Sequence, residues 1–460
     1  MNADSTMSAF EKRAAMALAT IFSFRMLGLF MILPVFAIYA DSLGEVTPIQ
    51  IGLAIGIYGL TQAMLQIPFG MASDRWGRKP VIIFGLLIFI MGSIFAANAE
   101  TIQEIIIGRA LQGAGAVAAA VMALLSDLTQ EEHRTKAMAM VGMSIGFSFV
   151  AAMVLGPLLN GIIGVPGLFG LTAILGGLGI IMLIWIVPNP KAAHFHHDTE
   201  AKPALFGAIL KDSQLMRLNF GIFTLHMVLS ASFIAIPFML RDSGLAGNDQ
   251  WMLYLPVLVL AMAVIIPFII IAEKRRKMKL VFVGAIALLM LVQAALAWVG
   301  AELWVIGILL WLFFSGFNLL EASLPSLVSK FAPAASRGTA MGVYSTSQFL
   351  GAFSGGVLGG SIYGVMGANG LFMLCSAALA LWFIVALSMQ QPRYLKPYLI
   401  KVGAMSRESA QGLEKLLREV AGVAEVTIDG SDEVAYLKVD SQKLDQQRLD
   451  QIIQQNSGEK

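Results

Sequence analysis

The chain has 460 residues, of which 57% are hydrophobic and only 13% are charged, and its formal net charge is +2. A soluble protein carries about 25% charged residues, so the composition excludes an ordinary soluble globular protein. The small net charge gives no reason to expect a nucleic-acid partner. The chain has a single cysteine, Cys375, which excludes an internal disulfide framework.

Long apolar runs recur along the chain and predict helices that cross a membrane. A helix needs about 20 residues for one crossing, and only helices and closed barrels satisfy their backbone groups in the hydrocarbon core. These runs are continuous rather than alternating, which favours helices. We predict twelve spans, at roughly residues 16–40, 49–72, 80–98, 101–125, 137–162, 166–188, 217–240, 250–272, 280–299, 303–328, 339–364 and 367–389.

The loops on the two sides of the predicted membrane domain differ in charge. We name the side with the lysine- and arginine-rich loops the basic face, defined by Arg75, Lys79, Arg134, Lys279 and Lys330. The other side is the acidic face, defined by Asp41, Glu45, Glu100, Asp249 and Glu302. Basic residues concentrate on the cytoplasmic side of membrane proteins. We therefore expect the basic face and both termini to be cytoplasmic.

Two stretches of the chain are similar at an offset of 203 residues. RTKAMAMVGMSIGFSFVAAMVLGPLLNGIIG begins at Arg134, and RGTAMGVYSTSQFLGAFSGGVLGGSIYG begins at Arg337. Six spans per copy keep both copies in the same orientation, because an even number of crossings returns the chain to the same side. The sequence therefore predicts two parallel six-helix bundles that move around a cavity near the membrane midplane.

The loop between spans 2 and 3 has the sequence GMASDRWGRKP and begins at Gly70. Gly70 lacks a Cβ, so another helix can approach span 2 there. We expect this helix to be span 11, in which glycines repeat every four residues in two series, Gly351, Gly355 and Gly359, and Gly356, Gly360 and Gly364.

We expect Asp74 to lie against the positive N-terminal end of span 11, and Arg78 to meet Asp127 at the end of span 4. These contacts would close the basic face. An alternative is that the basic residues of the loop, including Arg75, only fix the topology. That alternative does not explain Gly70, Asp74 or Gly77, so we expect both roles.

Three motifs resemble those of the major facilitator superfamily: the loop just described, RALQG from Arg109, and AMVLGPLLNG from Ala152. The third is similar to the span-5 motif of drug:proton antiporters, with Gly156 and Pro157 at its centre. It has Ala152 and Asn160 where those proteins usually have glycine. The resemblance implies a bacterial inner-membrane transporter that works by alternating access, with the loop as its switch and Arg109 involved in proton movement.

Four titratable residues fall inside predicted spans: Arg25, Arg109, His226 and Glu321. A charge at mid-bilayer costs about 2.5–3.5 kcal/mol on insertion scales, so each needs a partner or water. Glu321 is the first candidate for a proton carrier; the alternative is a permanent ion pair or a hydrogen-bonded structural acid. Arg109 either serves proton movement or pins helices through backbone carbonyls. Arg25 either lines the cavity or extends to the interface, and His226 is more often a satisfied polar residue than a carrier.

The composition changes after Pro392, and the following pattern of strand, helix, two strands and helix predicts a small ferredoxin-like domain. It resembles heavy-metal-binding modules but lacks Cys-x-x-Cys, so we expect no metal there. Regulation, self-association and ligand sensing all remain open for it. The predicted domains are a six-helix bundle at 1–190, a central loop at 191–216, a second six-helix bundle at 217–390, a linker at 391–397 and this domain at 398–456.

We predict a secondary transporter that exports small apolar or drug-like compounds against proton influx. The alternatives are a uniporter or importer of a polar solute, and a non-transporting membrane sensor. We expect neither an enzyme nor a cofactor. The G-x-S-x-G match at Gly142 lies in an apolar helix, not in the strand–turn–helix context that a nucleophile requires, and the chain has no P-loop. The expected partners are a small-molecule substrate, protons and the lipid bilayer.

Overall fold

The computed structural model describes residues 7–189, 203–332, 337–391, 396–402, 407–429, 434–440 and 443–456. In this part of the chain, ten helical segments are long and apolar enough to cross a membrane. The first part of the predicted central loop, up to residue 202, lies outside the described residues, as does most of the predicted linker, residues 392–395.

The helices of the membrane domain follow the predicted order. Spans 1 to 6 are formed by α1 (Ala9–Phe30) with α2 (Leu33–Asp41), α3 (Pro48–Trp76), α4 (Arg78–Ala97), α5 (Ile102–Ala114) with α6 (Ala118–Asp127), and the long α7 (Glu131–Trp185). A short helix, α8 (Pro203–Lys211), precedes the second half. Spans 7 to 12 are formed by α9 (Ser213–Asp242), α10 (Trp251–Lys274), α11 (Met278–Leu296), α12 (Leu303–Phe331) and the long α13 (Arg337–Leu387). Span 7 thus begins four residues earlier than predicted.

Helices α7 and α13 are too long for one crossing, with 55 and 51 residues. At about 1.5 Å per residue each would extend for about 80 Å, against a hydrocarbon core of about 30 Å. A single glycine with left-handed backbone interrupts each of them, Gly164 at φ 67° and Gly367 at φ 64°. These glycines are 203 residues apart, which is the offset of the sequence repeat. Each marks a turn inside a segment long enough for two spans, so the ten apolar segments of the described residues are compatible with twelve spans.

A second pair of equivalent contacts shows the same duplication. Lys79, at the start of span 3, donates a hydrogen bond to the carbonyl oxygen of Val187 over 2.5 Å. Lys279, at the start of span 9, donates to the carbonyl oxygen of Leu387 over 2.8 Å. Both lysines and both acceptors are offset by 200 residues. In each half, an ammonium group thus satisfies a carbonyl at the C-terminal end of the last helix, where the helix dipole favours a cation.

The two glycine series of span 11 face different neighbours. Gly351 and Gly355 lie against the backbone carbonyls of Phe223 and Met227 in span 7, and Gly359 lies against Ala231 in the same helix. The other series turns toward span 2 of the first half. Because glycine has no side chain, span 11 packs backbone to backbone against span 7 on one side and against span 2 on the other.

The span-5 motif packs where span 1 is interrupted. Gly156 lies against the carbonyl group of Met31, one of the two residues between α1 and α2, and its neighbour Pro157 stands inside α7. A Cβ at Gly156 would collide with that carbonyl. Span 4 is interrupted as well, between α5 and α6 at Gly115. Apolar sequence alone did not predict either interruption.

The C-terminal domain contains β1 (Lys396–Lys401), α14 (Arg407–Arg418), β2 (Val423–Asp429), β3 (Val434–Val439) and α15 (Gln446–Asn456). The strands form one antiparallel sheet in the order β1-β3-β2. Its first strand begins two residues before the predicted boundary. A ferredoxin-like fold needs a fourth strand, and the described residues of this domain form three. The order of elements is as predicted, and the ferredoxin-like fold stays a prediction.

This domain contacts the basic face of the second half. Arg276, in the loop between spans 8 and 9, forms an ion pair with Asp440 through Nη2 and Oδ1, 3.0 Å apart. Lys438 is buried and donates to the carbonyl oxygen of Ala332, beyond the end of span 10, over 3.0 Å. Arg276 has a positive φ of 53°, which is uncommon for a residue other than glycine.

Candidate switch and proton site

The loop between spans 2 and 3 is a tight turn held by an arginine. Gly77 is the single residue between α3 and α4, and its φ of 92° favours glycine. Arg78 donates from Nη1 to Ser73 Oγ over 3.0 Å and from Nε to Asp127 Oδ2 over 3.1 Å, and it also pairs with Asp74. The structure therefore places Asp74, Arg78 and Asp127 in one network. Arg75 is exposed and lies outside it.

Gly70 does not contact span 11 in this conformation, contrary to the expected close approach. A Cβ at Gly70 would meet only Ala119 of span 4, at 3.5 Å. Likewise, the contact described for Asp74 is with Arg78 of its own loop rather than with span 11. Among the described residues, neither Gly70 nor Asp74 contacts span 11, so the expected closure through these two residues is not formed in this structure.

The two spans meet instead near the acidic face. Gly52, close to the start of span 2, packs against the backbone of Gly356 and Gly360 in span 11. Gly56 packs against the backbone of Phe353, and a Cβ there would lie 2.8 Å from its carbonyl oxygen. The helices cross at these glycines because only a missing side chain permits such an approach.

Polar contacts join the two halves on the same side. Asn160 Nδ2 donates to Asn248 Oδ1 over 2.7 Å, between the end of span 5 and the loop before span 8. Arg241 Nη1 lies 3.6 Å from Asp41 Oδ2, between the ends of spans 7 and 1. Both contacts and the glycine crossing lie toward the acidic face, so the structure is closed there.

In the second half, the predicted residues His226 and Glu321 lie together. His226 Nε2 is 3.1 Å from Glu321 Oε2, and Gln348 Nε2 donates to Glu321 Oε1 over 3.2 Å. Gln348 also reaches His226 Nε2, at 2.7 Å. The three residues come from spans 7, 10 and 11. The Glu321 side chain is 34% exposed, so this carboxylate has both hydrogen-bonding partners and an open side.

Aromatic rings connect this cluster to the first half. Phe317, one turn before Glu321, has its ring 5.9 Å from that of His226 and also 5.9 Å from that of Phe149 in span 5. Phe149 also contacts Phe314, with ring centroids 6.0 Å apart. The titratable cluster therefore adjoins an apolar contact between the halves.

Arg109 lies inside the first half and is 2% exposed. It donates from Nε to the carbonyl oxygen of Ala54 over 3.3 Å and from Nη1 to Gln112 Oε1 over 3.0 Å. Gln112 in turn donates to Ser93 Oγ over 2.8 Å. The bond to Ala54 pins span 4 to span 2, as the structural interpretation of Arg109 predicted.

Arg25 is also 2% exposed, so it is buried in the bundle and neither lines an open cavity nor extends to the interface, the two predicted alternatives. It donates from Nη2 to Gln62 Oε1, while its buried Nε and Nη1 have no hydrogen-bond partner. The Arg25 Cζ lies 5.8 Å from the Tyr58 ring centroid and 5.9 Å from that of Phe89. Such cation–π contacts are worth about 0.5–2 kcal/mol, less than the several kcal/mol that burying an ion costs.

Sequence reasoning missed several residues of these networks. They are polar residues within apolar spans: Gln348, Gln62, Gln112 and Tyr58. A polar residue isolated in an apolar span predicts a buried hydrogen-bond network, because a buried polar group needs a partner. The polar site residues predicted inside the spans included only formally charged residues and His226. A further buried pair joins the first helix to the start of span 5, with His133 Nδ1 3.1 Å from Glu11 Oε2.

Comparison with known proteins identifies relatives over most of the chain. The family model of the Major Facilitator Superfamily matches residues 18–356. The inner membrane transport protein YajR of Escherichia coli (strain K12) is 45% identical over 452 residues, covering 98% of this chain and 99% of YajR. The quinolone resistance protein NorA of Staphylococcus aureus (strain COL) is 23% identical over 398 residues, covering 80% of this chain and 95% of NorA.

Among solved structures, a mutant of the nucleoside transporter NupG superposes with a TM-score of 0.65 at 14% identity. The superposition covers 82% of this chain and 99% of that one. At this identity the likeness shows the fold alone.

Proposed function

Because the chain belongs to the Major Facilitator Superfamily, we propose that it exports small apolar or drug-like compounds in exchange for protons. The family and the relatives make it a membrane transporter of small molecules rather than an enzyme. The proposal adds the direction, the coupling ion and the substrate class.

The observation that carries the proposal is the carboxylate of Glu321. Intramembrane acids are expensive and mark ion or proton pathways. This one combines a titratable partner, His226, with a side that is 34% exposed. A proton arriving from the open side would neutralise the carboxylate and change its contact with His226. The cluster could thus load and release a proton while remaining hydrogen-bonded through Gln348.

Two observations support an apolar or drug-like substrate. The rings of Phe149, Phe314 and Phe317 adjoin the cluster at the contact between the halves, and they would provide apolar surface once the halves part. NorA, which aligns over almost its whole length, is a quinolone resistance protein by name. Together they favour export of a compound with limited charge.

Alternating access would use the two ends of spans 2 and 11. The glycine crossing at Gly52 and Gly356 closes the acidic face here. The network of Asp74, Arg78 and Asp127 would support the opposite closure, with Gly70 admitting span 11. By the positive-inside rule the basic face and both termini are cytoplasmic, so this conformation would be open toward the cytoplasm.

The proposal is tested with purified protein in liposomes under an imposed pH gradient and a fluorescent quinolone as probe. We expect quinolone movement driven by the gradient, accompanied by counterflow of protons. Glu321→Gln should abolish the coupling. The control is Glu302→Gln, the same chemical change at an exposed position on the acidic face. Transport without proton movement would indicate a uniporter, and proton coupling that survives Glu321→Gln would remove Glu321 from the mechanism.

A further inference from the structure

Arg25 and Arg109 form a centre of positive charge inside the first half. Their guanidinium carbons lie 5.8 Å and 5.2 Å from the centroid of the same ring, that of Tyr58. The distance between the two guanidinium carbons is therefore at most 11.0 Å, the sum of the two carbon-to-centroid distances. Both side chains are 2% exposed, and arginine does not lose its proton in proteins. Two full positive charges thus share one buried region.

The contacts of these arginines are all with neutral groups. Among the described residues, they hydrogen-bond to Gln62, Gln112 and the Ala54 carbonyl, and no carboxylate pairs with either. A buried charge is normally paired with an opposite charge, because neutral dipoles and aromatic faces replace only part of the lost hydration. In the part of the chain that the structure describes, no carboxylate therefore compensates these two positive charges.

The free donors indicate where an anion would bind. Arg25 Nε and Nη1 are buried and have no hydrogen-bond partner, and the hydroxyl group of Tyr58 is likewise buried and without one. Unsatisfied donors of this kind are rare in native interiors and indicate an absent water or ion. The described partners of the two arginines carry no negative charge. An anion would therefore accept hydrogen bonds from the free donors and also balance the positive charge, whereas a water molecule would only accept hydrogen bonds.

We infer that the first half holds a small monovalent inorganic anion of chloride size against Nε and Nη1 of Arg25. An organic carboxylate is disfavoured because Arg25, Arg109, Tyr58 and Gln62 are all buried within the bundle. The anion would stabilise the packing of spans 1, 2 and 4, and it is independent of the proton site at Glu321, which lies in the other half.

The test uses the purified full-length protein in detergent, with chloride replaced by gluconate, an anion too large for an enclosed site, at constant ionic strength. We expect Tm to rise by about 2–4 °C with chloride and to saturate, as binding to the folded state requires. Arg25→Met should abolish this response. Arg241→Gln, which changes an arginine at the acidic face, should retain it.

A second measurement decides the matter if Arg25→Met fails to fold. Wild-type crystals grown in bromide should show an anomalous peak in contact with Arg25 Nε or Nη1. Such a peak, or a saturable chloride response that Arg25→Met removes, supports the site. The inference is overturned if the wild type shows no chloride response or if the response persists in folded Arg25→Met. If that variant does not fold, the absence of a bromide peak at Arg25 overturns it.

Discussion

Arg78 donates from Nε to Asp127 Oδ2 over 3.1 Å, and this bond ties the turn between spans 2 and 3 to the end of span 4. The Asp127 side chain is 1% exposed. The bond lies within the first half and requires nothing from span 11. The turn is therefore positioned by its own half before any closure of the basic face.

Asp127→Asn should destabilise the protein, because it removes the negative charge from a buried pair while keeping its shape. Hydrogen bonds to charged groups contribute about 1.5–3 kcal/mol, so we expect a clear fall in Tm in detergent. Asp249→Asn, at an exposed position of the acidic face, is the control. Equal Tm values for both variants would mean that the Arg78–Asp127 bond does not hold the turn.

Asp74→Asn should favour the conformation seen here, because it would remove the charge expected to attract the N-terminal end of span 11 when the basic face closes. Among the described residues, Asp74 pairs here with Arg78 of its own loop. We expect a cysteine at Ala119, which faces Gly70, to react faster with maleimide in this variant. The buried native Cys375 would first be replaced by serine. Glu45→Gln, a charge removal at the acidic face, serves for comparison. An unchanged labelling rate would argue against a role of Asp74 in closure.

Gly356→Ala should disfavour closure of the acidic face, because its Cβ would collide with the Gly52 carbonyl oxygen. Gly364→Ala is a matched control in the same series, where the nearest atom to a new Cβ is Pro48 Cγ at 3.6 Å. Spin labels at Glu45 and Val365 should report a longer mean distance in Gly356→Ala only. If both variants keep the wild-type distance, the glycine crossing does not govern closure.

Arg276→Asp should loosen the C-terminal domain from the membrane domain, because it replaces an ion pair with two facing acids. A partly exposed ion pair contributes only about 0.2–1 kcal/mol. We therefore expect a broader distribution of distances between the two domains rather than complete release of the C-terminal domain. The measurement is the distance distribution between spin labels at Ser388 and Lys443. Adding Asp440→Arg should narrow the distribution again, and failure of this rescue would show that the pair does not dock the domain.

The sequence predicted the elements whose causes are local. Apolar runs predicted the long helices of the membrane domain, and the 203-residue repeat predicted two similar halves, in which Gly164 and Gly367 mark equivalent turns. The interruptions of spans 1 and 4 were missed because they depend on what packs beside them, such as Gly156 against Met31. The three strands of the C-terminal domain were predicted from alternation, but a fourth strand is not present in the described residues.

For the candidate sites as well, the sequence indicated individual residues and the tertiary structure decided which of them meet. His226 and Glu321 were selected separately as titratable groups in apolar spans, and only packing brought them together with Gln348. Arg25 was predicted either to line the cavity or to extend to the interface, and packing instead buried it beside Tyr58. The two glycine series of span 11 were visible in the sequence, but their different neighbours were not.

The sequence by itself indicated a membrane protein with many apolar helices, an internal repeat and a change of composition after Pro392, because hydrophobic length and charge are properties of each segment. Tertiary structure alone decided which face is closed and which buried groups meet. Those outcomes depend on contacts between helices far apart in the chain, and a sequence with two accessible packings does not specify which one is occupied.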